Sequence, residues 1–301
     1  MMRRKAARAR GPPQDCLRSD LAAADRVPRN SGVLAALKSV FRPFVPAGLR
    51  RRLRFARHGS WLGGDYATWA DARAASDGYD SPGEMERYLA AARAVEAGGA
   101  AWERDAAVFT APAVHAPLLE TLRTIARRQG GSLDVVDFGG GFGSVWRQHR
   151  AALADITVNW RVIDQPAWVA AGQREFANSI LSFHASLADA ARDPSRQVLL
   201  LSSVLQYLEA PCELLAEMLS RGFADVMVDR IPLWEKGRDR LAVQRTPAEF
   251  GGGSYPCWVF DRASLLAALQ KNHRLVREWE GFDDLAVWAR YRGFYFTRAE
   301  A

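Results

Sequence analysis

A stretch of acid and glycine residues near the middle of the chain carries the clearest chemical signal. An apolar run ends in Asp137, and the residues that follow are rich in glycine: Gly139, Gly140, Gly141 and Gly143. Glycine is required where the backbone takes a positive φ, or where a ligand lies too close to the main chain for a Cβ. A dinucleotide-binding loop would have its third glycine at position 144, where this chain has Ser144. The pattern predicts a buried strand and a nucleotide-binding loop of another kind; a structural glycine turn or a degenerate nucleotide fold is the alternative.

The order acid, apolar residue, Gly-x-Gly-x-Gly resembles motif I of the class I methyltransferases that use S-adenosylmethionine (SAM). SAM has no pyrophosphate to rest on a helix N-terminus. The resemblance therefore implies that the loop surrounds the methionine end and the ribose. Asp137 would then lie near the sulfonium and amino groups, where a carboxylate suits a cationic cofactor.

A second acid follows the next predicted strand. Asp164 and Gln165 end the apolar run 156–163. In nucleotide-binding folds an acid at this position accepts hydrogen bonds from the ribose hydroxyls. Asp164 is the candidate for that role, and Gln165 is placed beside it. A helix N-cap ahead of Pro166 is the alternative reading of Asp164, and both roles could coexist.

Polar residues also follow three later strands, at the edge where open α/β sheets bind ligands. Ser202 and Ser203 end the most apolar run and are expected beside the cofactor. The candidates for the catalytic base are Asp229, Tyr207 and His184, with a structural hydrogen-bonding role preferred for His184. The candidates for substrate contact are Gln206, Arg230, Gln244 and Tyr255. For Asp229 and Arg230 a surface ion pair is an equally good interpretation.

A closer resemblance covers about residues 61–298. It rests on segments 69–80, 104–105, 137–140, 202–208 (Ser-Ser-Val-Leu-Gln-Tyr-Leu), 229–232 (Asp-Arg-Ile-Pro), 244 and 254–256. These are similar to a family of bacterial proteins classed as methyltransferases by similarity, which often accompany surface-polysaccharide biosynthesis genes. The resemblance implies SAM-dependent methyl transfer, to oxygen in the first instance, on a small-molecule or glycan-type acceptor. It does not identify the acceptor.

The order of predicted elements indicates a Rossmann-like α/β fold. Strands and helices alternate after residue 131, and two strands near 274–278 and 293–297 close the chain as an antiparallel hairpin. This matches a seven-stranded methyltransferase sheet, mostly parallel with an antiparallel last strand. We expect a basic segment at 1–57, a helical cover region at 58–130 and a SAM-binding domain at 131–301. The polar stretch beyond Pro232 is expected to be a loop that could act as a lid.

A capping box at 81–84 predicts a helix to about residue 96, a second helix is expected at about 113–128, and Ser144 is able to cap the helix after the glycine loop. By analogy with methyltransferase covers Arg104 would reach the cofactor or substrate; a local ion pair with Asp105 is the alternative.

The positive charge of the chain is concentrated at its N-terminus. The net charge is +7, yet residues 1–58 hold fifteen basic and three acidic residues, which leaves −5 for the rest. The first 30 residues contain no apolar run of signal-peptide or membrane-span length, and we expect disorder there. Residues 33–55 are basic and amphipathic and could lie on an anionic membrane. Nucleic acid is the less favoured partner. A solvated tail, or a start codon assigned upstream of the true one, explains the charge equally well.

Cysteine and histidine usage argues against several other functions. The 3 cysteines have no C-x-x-C spacing and the 5 histidines are scattered, so neither a disulfide framework nor a metal site is expected. No G-x-S-x-G segment suggests a hydrolase. We expect a cytoplasmic protein, with a peripheral position at the inner membrane as an option. A non-catalytic binding or assembly protein stays open, as does a nicotinamide-dependent enzyme, against which Ser144 argues.

Overall fold

The computed structural model of the chain describes residue 55 and residues 60–78, 83–246 and 252–299. The strands in these ranges are β1 (Leu62–Tyr66), β2 (Trp102–Arg104), β3 (Ala107–Phe109), β4 (Ser132–Phe138), β5 (Thr157–Ile163), β6 (Leu181–His184), β7 (Gln197–Ser202), β8 (Asp225–Trp234), β9 (Arg240–Arg245), β10 (Ser254–Asp261), β11 (His273–Glu280) and β12 (Arg290–Arg298). The α-helices are α1 (Trp69–Ala74), α2 (Glu84–Glu96), α3 (Ala116–Arg128), α4 (Ser144–His149), α5 (Pro166–Glu175), α6 (Leu187–Ala190), α7 (Pro211–Ser220) and α8 (Arg262–Leu269). Short 3₁₀ turns cover Arg150–Leu153, Pro194–Arg196 and Leu205–Tyr207.

Seven strands form the sheet that the sequence predicts. Their order is β6-β5-β4-β7-β8-β12-β11, in which β12 is antiparallel to both neighbours and the other pairs are parallel. The carboxyl ends of β4, β5, β7 and β8 therefore lie along one edge, with Ser202 of β7 opposite Asp229 of β8. The predicted Rossmann-like sheet, mostly parallel with an antiparallel closing strand, is confirmed.

Helices cover both faces of this sheet, because the side chains on both faces of its central strands are apolar. Every residue from Val198 to Leu201 is at most 1% exposed. Successive residues of β4 enter different cores: Val135 packs with Leu122 of α3, whereas Val136 packs with Leu215 of α7. A parallel strand buried on both faces requires this composition.

Three further strands extend the sheet and correct one expectation. The end of β8 pairs with β10, β10 pairs with β9, and β9 pairs with β1. The stretch beyond Pro232, expected to be a lid loop, is thus largely strand, with residues 247–251 of its β9–β10 connection outside the described part. In β9 the four residues 241–244 are all buried, including the polar Gln244, so the polar composition of the stretch hides a buried strand.

The region before β4 contains more than the predicted helices. The two expected helices are α2 and α3, but β1 joins the main sheet and β2 pairs with β3 as a hairpin. Gly83 occupies the N-cap of α2 with a φ of 85°, and the predicted capping box at Ser81 and Pro82 lies outside the described residues. The boundaries at 57 and 130 stay predictions. No helix in the described ranges has the length and apolar character needed to cross a bilayer.

Candidate active site

The glycine loop between β4 and α4 forms the floor of the cleft at the carboxyl edge. Gly139, Gly141 and Gly143 have positive φ angles of 71°, 57° and 87°. A Cβ on Gly140 would lie 2.6 Å from the carboxyl carbon of Asp137. The glycines are therefore required by the protein's own turn, whereas the sequence argument also invoked pressure from a ligand. Gly139 is exposed and Gly140 and Gly141 are partly exposed, so their backbone faces the cleft.

Asp137 lies beneath this loop. Its side chain is 1% exposed and accepts a hydrogen bond of 2.9 Å from the indole N–H of Trp160. Burial, opposed by that hydrogen bond and reinforced by the nearby Asp164, raises the pKa of Asp137 to about 7. The carboxyl group therefore lies directly beneath Gly140 and is about half ionised near pH 7, where a cationic ligand would favour its charged form.

Asp164 links the end of β5 to the glycine loop. One carboxylate oxygen accepts the N–H of Gly141 at 2.9 Å, and the other accepts the N–H of Gln165 at 2.8 Å. The N-cap of α5 is Gln165, ahead of Pro166, so the alternative reading of Asp164 as the cap does not apply. A carboxylate can accept about four hydrogen bonds, so half of the capacity of Asp164 stays available.

Aromatic side chains close the cleft above the loop. Phe142 is buried and stacks on Trp168 of α5 at 4.9 Å, and Tyr88 of α2 meets the edge of Trp168 at 5.1 Å. Ser144, expected to cap α4, instead donates its hydroxyl to the buried Glu103 of β2, while Gly143 takes the cap position. The region before β4 is therefore in contact with the loop on two sides.

The β7 end of the cleft is held by Gln206. Its side-chain amide N–H groups donate to the Ser203 hydroxyl at 3.1 Å and to the Arg230 carbonyl at 3.2 Å. Gln206 is 0% exposed, so its contacts are with the two strand ends. Ser203 and Arg230 both have positive φ, 57° and 55°, which is rare outside glycine and often found at functional sites.

Three of the predicted residues form one hydrogen-bonded chain. The hydroxyl of Tyr207 donates to Gln244 at 3.0 Å, and the amide of Gln244 donates to the hydroxyl of Tyr255 at 3.1 Å. Burial holds the pKa of Tyr207 well above its ordinary value. Tyr207 therefore serves as a hydrogen-bond donor, and not as a base, near neutral pH.

Asp229 is part of a buried cluster that the sequence argument missed. One carboxylate oxygen accepts the indole N–H of Trp279 at 2.8 Å; the other lies 3.5 Å from Nδ1 of His115 and 3.3 Å from the Ser202 hydroxyl. Burial opposes ionisation of Asp229, but His115, Trp279 and Arg230 outweigh it and lower its pKa. Asp229 therefore stays charged and faces His115.

The two arginines at this rim differ in their partners. Arg230 pairs with Asp105 and Asp283, at 2.7 Å each, so its charge is matched within the protein. The alternative of a local pair between Arg104 and Asp105 is not observed. Arg104 instead lies over the ring of Phe282 at 3.8 Å, and within the described ranges no carboxylate lies within 4.0 Å of it.

His184 lies at the other side of the sheet. It ends β6, which is separated from β8 by three strands, or roughly 19 Å at 4.8 Å per strand. Its ring nitrogen Nε2 is 2.9 Å from the Ser182 hydroxyl. This agrees with the structural role preferred for it. Among the residues described here, no group of three potential ligands is placed to hold a metal.

The sequence argument also missed His115 and Trp279. Each lies 50 or more residues from Asp229 along the chain, and neither occurs in a motif. A histidine just before a helix, as His115 is before α3, has no local signature. Only the folded chain brings these side chains together: His115 precedes α3, and Trp279 of β11 reaches Asp229 of β8 across Gly293 of β12.

Comparison with known proteins gives similarities of fold only. No protein-family model and no curated protein matches the chain. Among solved structures, a 1,6-didemethyltoxoflavin-N1-methyltransferase from Burkholderia thailandensis, with its substrate and S-adenosylhomocysteine bound, is 16% identical, with 79% of this chain and 93% of that one covered at a TM-score of 0.43. The N-terminal domain of EvdMO1, in the presence of S-adenosylhomocysteine and D-fucose, is 15% identical, with 73% and 100% covered and a TM-score of 0.42.

An amino pentose methyltransferase from Micromonospora echinaspora, with SAM bound, is 14% identical, with 62% and 91% covered and a TM-score of 0.39. At such identities and scores, the function of this chain has to be argued from its own residues.

Proposed function

We propose that the protein is a SAM-dependent methyltransferase. The observation that carries the proposal is the carboxylate of Asp164 bonded to the Gly141 N–H, above a glycine loop backed by the buried Asp137. This arrangement offers free carboxylate lone pairs for ribose hydroxyls next to exposed backbone. It also places negative charge beneath the loop, which suits a cationic ligand and disfavours the pyrophosphate of NAD.

The residues that would hold the cofactor belong to the edge formed by β4, β5 and β7. Their chemistry fits SAM: carboxylates for the ribose and the positive charge, hydroxyls and exposed backbone for the methionine end. They are Asp137, Gly139, Gly140, Gly141, Gly143, Asp164, Gln165, Ser202 and Ser203. When bound, SAM supplies an electrophilic methyl group.

The acceptor would bind at the adjoining rim of β7 and β8, between the hairpin β2–β3 and the β11–β12 loop. We propose a small-molecule or glycan-type acceptor with a hydroxyl as the reacting group. His115 is the base that this rim offers, because Nδ1 faces the charged Asp229, so that Nε2 would be the atom that takes the hydroxyl proton. Asp229, predicted as the base itself, would orient His115 and stabilise its protonated form.

The cofactor assignment is tested by calorimetric titration of the full chain with SAM and with NAD. We expect SAM to bind and NAD not to bind. Asp164→Ala should weaken SAM binding about 10-fold to 100-fold, as expected for the loss of a charge-assisted hydrogen bond of roughly 1.5–3 kcal/mol. Asp155→Ala is the matched control, since Asp155 precedes the other end of β5 and is paired with Arg123. Binding of NAD, or equal affinity of the two variants for SAM, would contradict the proposal.

The basic segment 1–57 is proposed to contact anionic membrane surfaces, which would place the enzyme at the inner face of a bacterial membrane. Its charge supports this, while its structure lies outside the described residues apart from residue 55. We expect the full chain to co-sediment with phosphatidylglycerol vesicles and a chain lacking residues 1–57 not to. Equal sedimentation of both would remove the proposal without affecting the assignment of SAM.

A further inference from the structure

A second cavity lies beyond the candidate active site. It has a volume of about 660 Å³ and is formed by the end of β8, the start of β12 and the start of α8. Trp234 in its wall lies four residues after Arg230 along β8, or roughly 13 Å at 3.3 Å per residue. Arg292 in the same wall pairs with Ile231, next to Arg230, yet no lining residue belongs to the glycine loop or to the cluster around Asp229. The cavity is therefore distinct from the cleft around the glycine loop.

The wall of this cavity is strongly basic. Five cationic side chains line it, against the single acid Glu235: Lys236, Arg240, Arg262, Arg290 and Arg292. Residues 59–301 carry a net charge of −5, so the concentration of positive charge here is local and does not follow from the composition of the domain.

Part of this charge has no carboxylate partner. Arg262 pairs with Glu278 at 2.7 Å, and Arg292 lies 3.7 Å from the same carboxylate. For Lys236 and Arg290, by contrast, no carboxylate comes within 4.0 Å in the part of the chain that the structure describes. Both side chains belong to exposed residues, so an anion could reach them without displacing an internal ion pair.

Two indole rings complete the wall. Trp234 and Trp288 meet at 5.8 Å with an interplanar angle of 62°, and the guanidinium of Arg240 lies over the Trp288 ring at 4.2 Å. Both tryptophans are partly exposed. Aromatic faces of this kind pack against the C–H faces of sugar rings, while arginine and lysine bind phosphate oxygens through charge-assisted hydrogen bonds.

We propose that this cavity binds a phosphorylated carbohydrate. Five cationic side chains are more than a ligand with one carboxylate would neutralise, which favours a phosphate group. The indole rings provide a surface for the sugar. The volume falls within the range of small-molecule sites, roughly 300–1,000 Å³, and the lining residues face one concave space, which favours a discrete ligand over a membrane surface. The inference does not depend on the assignment of SAM to the other cleft.

The test is a calorimetric titration of the full chain, because the chain has 10 tryptophans and their fluorescence would not report on this cavity alone. The probes are glucose 1-phosphate, glucose and inorganic phosphate. We expect glucose 1-phosphate to bind at least tenfold more tightly than either of the others. Lys236→Gln combined with Arg290→Gln should weaken that binding at least tenfold, whereas Arg196→Gln, an exposed arginine at the start of β7, should not change it.

Each opposite result overturns the proposal. Equal affinity for glucose and glucose 1-phosphate would remove the role of the phosphate, and equal affinity for inorganic phosphate would remove that of the sugar. Binding to phosphatidylglycerol vesicles that depends on Lys236 and Arg290, without binding of glucose 1-phosphate, would identify a membrane surface instead. SAM titration of the double variant separates this outcome from failure of the proposed function, because the variant should bind SAM as the wild type does.

Discussion

The cofactor half and the acceptor half of the cleft are built in different ways. The cofactor half uses residues close in sequence: Trp160 bonds Asp137, and Asp164 bonds Gly141, across 23 positions each. The acceptor half joins distant segments, since Arg230 pairs with Asp105 across 125 positions and Trp279 bonds Asp229 across 50. The first half is defined by a motif, and the second exists only after the chain has folded.

The largest expected effect separates the two halves by function. His115→Gln removes the base of the acceptor half and should lower the rate of methyl transfer from radiolabelled SAM by about 10²-fold to 10⁴-fold, the usual contribution of general base catalysis. SAM affinity should not change, because the glycine loop and Asp164 are not in contact with His115.

His184→Gln is the matched control for this variant, since it makes the same substitution at the histidine that the sequence predicted, on the far edge of the sheet. It should retain the wild-type rate. Full activity of His115→Gln together with loss in His184→Gln would reverse the assignment of the base and favour the role first considered for His184.

The same contrast explains what the sequence predicts and what it does not. The Rossmann-like, mostly parallel sheet with its closing antiparallel hairpin was predicted, because apolar runs such as 198–201 and the alternation of strands and helices are local signals. Asp164 was placed correctly at the end of β5 because strand ends share one edge in a parallel sheet. His115 was beyond reach for a physical reason: its position at Asp229 depends on how α3 packs against the sheet, which no local periodicity encodes.

Errors of the sequence reading follow the same division. The strands β9 and β10 were taken for a loop because they lie outside the repeating strand and helix pattern, and β1, the outer partner of β9, is about 180 residues away. Ser144 looked like a cap because the residue type fits, yet its hydroxyl is taken by Glu103 of β2. In both cases a distant segment decided the outcome over a local preference.

A smaller effect concerns the charge beneath the cofactor half. Burial raises the pKa of Asp137 from 3.8 to about 7, so the native state holds its proton more tightly than the unfolded state does. The contribution of Asp137 to the free energy of unfolding therefore falls as pH rises from about 4 to about 7. Asp137→Asn removes this loss and keeps the acceptor for Trp160. We expect it to raise Tm at pH 8 and to change Tm little at pH 5.

Ligand binding by Asp137→Asn should move in the other direction. The variant lacks the charge that favours a cation above the loop, so SAM should bind more weakly at pH 8. The affinity for S-adenosylhomocysteine, whose sulfur is an uncharged thioether, should fall less. Thermal unfolding at the two pH values and calorimetry with the two ligands provide the measurements. A variant with the wild-type dependence of Tm on pH would show that Asp137 is ionised in the native state throughout.

The smallest expected effect concerns the turn between β2 and β3, which holds Asp105 beside Arg230 in the acceptor half. Asp105 and Ala106 connect β2 to β3 with positive φ angles of 50° and 64°, the two-residue turn in which glycine is strongly preferred at the second position. An alanine in the left-handed region costs about 1–2 kcal/mol. Glycine removes this strain, and the greater freedom that it gives the unfolded chain offsets part of the gain. Ala106→Gly should therefore raise the free energy of unfolding by about 0.5–1 kcal/mol in urea titrations.

Ala216→Gly, on the exposed side of α7, provides the control of opposite sign, with an expected loss of about 1 kcal/mol. If the strain at Ala106 serves only to turn the chain, the stabilised variant should keep its rate of methyl transfer, because Asp105 still pairs with Arg230. If the rate falls while SAM affinity is unchanged, the restricted backbone of this turn is needed to hold Arg104 and Asp105 at the rim. The β2–β3 hairpin is then part of the acceptor site as well as its cover.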